Sequence, residues 1–537
     1  MNTKLLLAIL GIVFAFSAFG INQVVVNNND SGAGSLRQAI IDVGVGEEIT
    51  FNLSSGFEVI TLSSQLHITK SVTVDGVNSA GSGTAVTLQV TTPGSSNWRV
   101  LYLDGWFLDI IKIKNLTIKG GHLTSGNGGA IYNYLTIFFM ENVTIIGSKA
   151  KYGGAIHNNG VQHLTNSTFT DNEASTSGGA IYIDGGDNEW SSTITECKFE
   201  NNNCAEGYGG AIYLYLAAMR VVNSTFMNNG ALSSNWKSAG GAIYSWGIDT
   251  ITGSTFVGNH AYTGGAICYA EGNSILTNCS FIENESDDVE GDDNEGGGAI
   301  FLGSDYPPQP STPFVTFNSN TLHDNFSYSN GGGVYLWQGT LKIKNSLLGG
   351  NKSWYGDEDD YYFEGGTLIN EGFNIVEDAT GATFNAIGDI SGQQANLFGA
   401  GKATQTLANN GGPTQTLAIE SGSVAIGSGS VAIGSGSADA TITTDQRGAI
   451  RTNLPTIGAF EYNGSFTITW TGSQSAIWNL AENWDSNVVP TEVHDVVIPA
   501  TGVTNFPVIS TSTNATCQNI TIMSGANLTV NGDLKTE

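Results

Sequence analysis

Carboxylates are the side chains in this sequence that could do chemistry. Asp184, Asp187 and Glu189 crowd one stretch. Asp287, Asp288, Glu290, Asp292, Asp293 and Glu295 crowd a second, and Asp357 to Asp360 a third. Two carboxyl groups about 5–10 Å apart can cleave a glycosidic bond, and grouped carboxylates can hold calcium weakly. Against calcium, there is no EF-hand loop and no GGxGxDxUx nonapeptide, and Asp-rich loops are ordinarily solvated turns. His157 and His163 lie near each other without a Ser or Cys partner in a known motif, and no Walker loop, GxSxG or HExxH occurs. Arg447 and Arg451 stand out in so acidic a chain, either as ion pairs or as a ligand site. Trp470, Trp478 and Trp484 either fill a core or stack on sugars. The sequence thus predicts no catalytic residue, no cofactor and no metal beyond weak calcium. The rival reading is a carbohydrate-active enzyme, a polysaccharide lyase or glycoside hydrolase, working through Asp184 and Asp187.

These groups need a scaffold, and the composition narrows it. The chain has 537 residues, too many for one ordinary core. Charged residues make up only 12% and glycine is heavy at 71, a mix suited to turns and β structure. The net charge of −29 repels phosphate backbones, so nucleic acid is not an expected partner. Residues 1–20, MNTKLLLAILGIVFAFSAFG, read as a secretory signal peptide. No later stretch is apolar enough to span a membrane. Cys197, Cys204, Cys268, Cys279 and Cys517 are an odd set, read as small buried thiols, with Cys197–Cys204 or Cys268–Cys279 as pairing options.

A repeat dominates the middle of the chain. After a paired glycine comes a β-branched residue every time: Ile131, Ile156, Ile181, Ile212, Ile243, Ile267, Ile300 and Val334. The steps are 25, 25, 31, 31, 24, 33 and 34 residues. A second half repeats in phase, with Phe169, Phe199, Phe226, Phe256 and Phe281 as its apolar column. Three residues after each apolar position stands Asn172, Asn202, Asn229, Asn259, Asn284, Asn325 or Asn351. A unit this short cannot bury its own apolar face, but stacked units can. At about 4.8 Å per coil, seven steps make a column about 34 Å long. The predicted fold is all-β: a right-handed parallel β-helix (solenoid) with an N-terminal cap and a small C-terminal β-rich module. The Asn is expected at sharp left-handed corners, with its amide bonding along the stack. Tyr182, Tyr213 and Tyr244, with His157 in the same column, are expected to be variable, outward positions, either a contact surface or packing under loops.

GGAIHN with FTDN (153–172), GGAICY with FIEN (264–284) and GGGVYL with LGGN (331–351) resemble the repeat of the polymorphic outer-membrane protein family. That resemblance implies a surface-displayed, often adhesive β-helix. The boundaries read as 1–20 signal peptide, 21–120 cap and irregular first coils, 121–351 repeats, 352–462 end module and 463–537 Trp-containing module. Within 352–462, "NGGPTQTLAIESGSVAIGSGS" and "TDQRGAIRTNLPTIGAFEY" resemble the choice-of-anchor Q type module, with "SVAIGSG" duplicated in tandem. Residues 463–537 resemble a module of Bacteroidetes-type surface proteins. The expected protein is secreted or held at a bacterial cell surface or outer membrane. It would bind a host or environmental glycan or protein, or serve as a structural spacer.

Overall fold

The computed structural model describes residues 21–537, except 81–84, 93–96, 107, 186–190, 233–237, 288–295, 304–311, 355–358, 399–401, 421–422, 424, 426–443, 452–455, 463–465, 486–488, 491–493, 518 and 537. The signal peptide, Asp187, Glu189, Asp357, the acids from Asp288 to Glu295 and most of the duplicated "SVAIGSG" lie outside the described residues.

The chain winds as a parallel β-helix. One coil shows how the repeat does it. Ile156–Thr165 forms a long strand, Thr168–Thr170 a second and Glu173–Ser177 a third. Each pairs in parallel with its counterpart one coil on: Ile156 with Ile181, Phe169 with Phe199, Ala174 with Cys204. Among the described residues, the stacked coils make sheets of 21, 13 and 8 strands. Strand alternation sends every second side chain inward. The Ile and Phe columns are therefore fully buried. Phe169, Phe199, Phe226, Phe256 and Phe281 stack nearly parallel, with centroids 4.7–4.8 Å apart.

The corners have a stricter logic than the sequence suggests. The repeat Asn was expected to take the left-handed conformation, but the residue before it does. Asp171, Asn201, Asn228, Gly258, Glu283, Asp324 and Gly350 all have φ between 52 and 73°. That position tolerates mainly Gly, Asn and Asp, which is why it forms no acidic column. The Asn itself is buried and extends a ladder. Asn202 Nδ2 donates to Asn229 Oδ1 at 2.9 Å and to the Phe199-equivalent carbonyl of the preceding coil, Phe169, at 2.9 Å. The same pattern runs from Asn172 to Asn351, whose amide then donates to Asp360 Oδ1 at 2.7 Å.

The paired glycines are needed for two reasons. Gly153 has φ +62°, and a Cβ on Gly154 would sit 2.1 Å from the carbonyl oxygen of Gly179 on the next coil. Backbones there approach too closely for any side chain.

At the N-terminus, the helix Leu36–Asp42 is N-capped by Ser35, which accepts from Gln38 N, and buries Leu36, Ala39 and Ile40. Further on, the segment around 445–461 lies against the flank of the helix. Gln446 bonds Thr255 and Ser280, Arg451 bonds Asn278, and Ala459 N donates to Thr321. Arg447 and Arg451 are buried and paired with Asp445 and Glu461. The last module has a three-stranded parallel sheet, Phe466–Thr469, His494–Ile498 and Asn519–Ile522. Its core holds Trp470, Trp478 and Trp484, packed edge to face at 4.8 Å, so these rings are not a sugar platform. All five cysteines are buried free thiols; neither pairing option is formed. Among the described residues, no helix is long and apolar enough to cross a membrane.

Candidate functional site

The long strands of the first sheet carry two outward columns. The second residue of each strand gives the inner one: His67, Tyr102, Tyr132, His157, Tyr182, Tyr213 and Tyr244, with ring centroids 4.9–5.6 Å apart. This column is less open than expected. Tyr213 is 8% and Tyr244 5% exposed, and His157 only 4%. Each ring is covered by its neighbours along the stack, and Tyr152 and Tyr208 close over Tyr182 and Tyr244. Burial pulls the His157 pKa down to about 3, helped by Arg99, so the imidazole is neutral. Of the two alternatives for this column, packing holds: Tyr213 and Tyr244 belong to a buried cluster of their own.

The accessible column lies two residues further on. Strand register lines up Asp104, Tyr134, Asn159, Asp184, Tyr215, Trp246 and Glu271 on successive coils. All are half-buried or exposed. Carboxylate, ring and amide thus alternate along one face. Asn159 Nδ2 reaches Asp184 at 3.4 Å, Tyr215 meets Trp246 edge to face at 5.4 Å, and the Trp246 indole donates to Glu271 Oε2. Beside Trp246 the strands bend. Leu216 takes a φ of 48°, and the register slips between Tyr215 and Ala218. The bend opens a groove of about 480 Å³ lined by Leu216, Trp246, Ile248, Glu271, Asn273 and Thr312. Its walls are apolar with a few directional polar groups, the usual make-up of a ligand site.

The other carboxylates fare differently. Asp184 belongs to this face. Asp359 and Asp360 are buried rather than solvated. Asp360 accepts from Asn351, Glu377 and Asp378 backbone N–H groups, and burial pushes its pKa up to about 7 against those bonds. It serves the ladder and is closed to calcium. Asp184 and Glu271 stand three coils apart, about 14 Å at the strand spacing, too far for paired-carboxylate hydrolysis. Sequence reasoning missed Trp246 and Glu271, since only the register shows that they extend the Asp184 column.

Residues 166–184, which hold FTDN and GGAI, match the Chlamydia polymorphic membrane protein repeat. Residues 469–536 match a domain of unknown function, DUF8693. Over 190 residues the chain is 33% identical to the probable outer membrane protein pmp6 of Chlamydia pneumoniae, covering 31% of this chain and 14% of that protein's length. Among solved structures it is similar to pectate lyase Pel9A, at 16% identity and a TM-score of 0.37, over 82% of this chain and 96% of that one. It is also similar to the PL6 family alginate lyase AlyGC, at 14% identity and a TM-score of 0.36, over 95% and 71%. Neither structural likeness lends a substrate to this chain.

Proposed function

We propose that this chain is a bacterial cell-surface β-helix protein that adheres to a neutral glycan along its outer aromatic–polar face, without catalysis. The repeat match and the pmp6 relative support the surface location, and the composition of residues 1–20 suggests export by a signal sequence. The observation that carries the glycan reading is the column Asp104 to Glu271, with its Trp246 groove. Rings stack on sugar faces while carboxylates and amides bond hydroxyls. One coil advances about 4.8 Å, close to the length of a pyranose unit, so an extended polymer meets a new contact at each coil. Weak contacts repeated in this way bind by avidity. The charge of −29 disfavours polyuronates and leaves neutral polymers.

Affinity electrophoresis against neutral and acidic polysaccharides tests the proposal. Trp246→Ala should weaken retention by about tenfold, corresponding to the loss of one ring–ligand contact of about 1.4 kcal/mol. Retention on polyuronates alone, or undiminished retention of the variant, would sink the neutral-glycan reading. Release of reducing ends would replace it with catalysis.

A further inference from the structure

The third sheet has an outer column of its own, far from the aromatic face. In register it runs Lys149, Glu173, Asn203, Gly230, His260, Glu285, Phe326 and Lys352. At its start the pairing is simple, with Lys149 Nζ 2.5 Å from Glu173. At His260 it is not. One imidazole faces two carboxylates, those of Glu285 and Asp287, on the next coil. The three donor atoms lie within 4.8 Å of one another. The backbone holds them there: Glu285 N donates to Asn259 O and Asp287 N to Ala261 O, both at 2.9 Å, so the residues flanking His260 are tied to the strand bearing the acids. Glu285 opens the short strand Glu285–Ser286 and Asp287 follows it directly, two residues on, so the alternation of extended chain puts both on one face. Gly230, the partner on the preceding coil, brings no side chain to compete.

The imidazole is turned toward these carboxylates, with His260 Nε2 2.9 Å from Asp287 Oδ2. Nitrogen with two oxygens is a donor set for zinc-like ions, whereas calcium takes oxygen alone.

We propose that His260, Glu285 and Asp287 form a mononuclear site for a divalent transition-metal ion of the zinc type, which clasps two adjacent coils. Ligand bonds of about 2.0–2.2 Å require the three donors to draw together slightly. All three side chains are half-exposed and can turn. The ion must displace a proton from His260. Burial opposes the imidazolium, but the Asp287 and Glu285 carboxylates outweigh it and hold the pKa above the ordinary value. Tyr328 is the other titrating group beside Glu285.

The full chain, stripped with chelator, is titrated with Zn²⁺ alone by calorimetry. The expected result is one site per chain, weakening as pH falls from 7.5 to 5.5. His260→Ala and Glu285→Gln should each weaken it by about a hundredfold or more. His163→Ala, on the first sheet, should leave it unchanged. A Co²⁺-loaded sample should show a visible d–d spectrum that His260→Ala abolishes. Unchanged Zn²⁺ affinity in both ligand variants, no Zn²⁺ binding at all, or tighter binding of Ca²⁺ than of Zn²⁺ would each overturn the proposal. If His260→Ala fails to fold, Glu285→Gln decides the matter alone.

Discussion

Asn229→Ala should destabilise the β-helix by about 4 kcal/mol, while Asn228→Gly, one residue away, should cost almost nothing. Asn229 Oδ1 accepts from both Asn202 N and Asn202 Nδ2, and its own Nδ2 donates to Asn259 Oδ1 and the Phe199 carbonyl. Alanine removes all of these from a fully buried site. Each buried group left without a partner costs about 1–3 kcal/mol. Asn228 is exposed, with φ 53°, and glycine accepts that conformation without strain. Thermal unfolding followed by circular dichroism separates the two. In a stack of coils the damage spreads to both neighbouring interfaces, so the whole repeat should melt lower. Equal melting of the two variants would show that the ladder carries no weight.

Asp249→Asn should stabilise the protein at pH 8 by about 3 kcal/mol and have little effect at pH 4. Asp249 points into the coil interior, 1% exposed, bonded by Ser245 Oγ at 2.6 Å and approached by Tyr269 OH at 3.5 Å. No cation accompanies it among its contacts in the described residues. Burial pushes its pKa up to about 6 from 3.8, although these hydroxyls pull the other way. The sign follows from proton binding. Between those two values the folded chain holds the proton and the unfolded chain releases it. This group's contribution is therefore fully present below pH 3.8 and is lost as pH rises through 6. A neutral amide can keep the Ser245 bond without the buried charge. The measurement is the difference in melting temperature between variant and wild type across pH 4–8, which cancels other titrating groups. A difference that does not grow with pH would refute the assignment.

Much of this architecture could be read from the residues because a parallel coil repeats its inward environment. Each Ile, Phe and Asn of the array meets its own counterpart one coil away, so the chemical demand at that point recurs and the residue type recurs with it. The glycine pair repeats for the same reason, since the backbone approach at Gly154 admits nothing larger. Even the left-handed corner was written in the alternation of Asp171, Asn201, Asn228 and Gly258, although it was assigned one residue too late.

The outer surface obeys no such rule. Inserted lengths change from coil to coil, so neither sequence spacing nor residue type reveals which outward side chains become neighbours. His157 and Tyr213 point outward yet are buried, because adjacent rings cover one another, which decides for packing over a contact surface. Asp360 looked like one more solvated acid and instead ends the Asn ladder. Asp184, Trp246 and Glu271 share a face, and His260 meets Glu285 and Asp287, only once strand register brings distant segments side by side. The repeating interior of the solenoid is legible in the residues alone, since identical packing demands leave identical marks. Which outward side chains become neighbours emerges only in three dimensions, because those contacts depend on bends and insertions that no local pattern encodes.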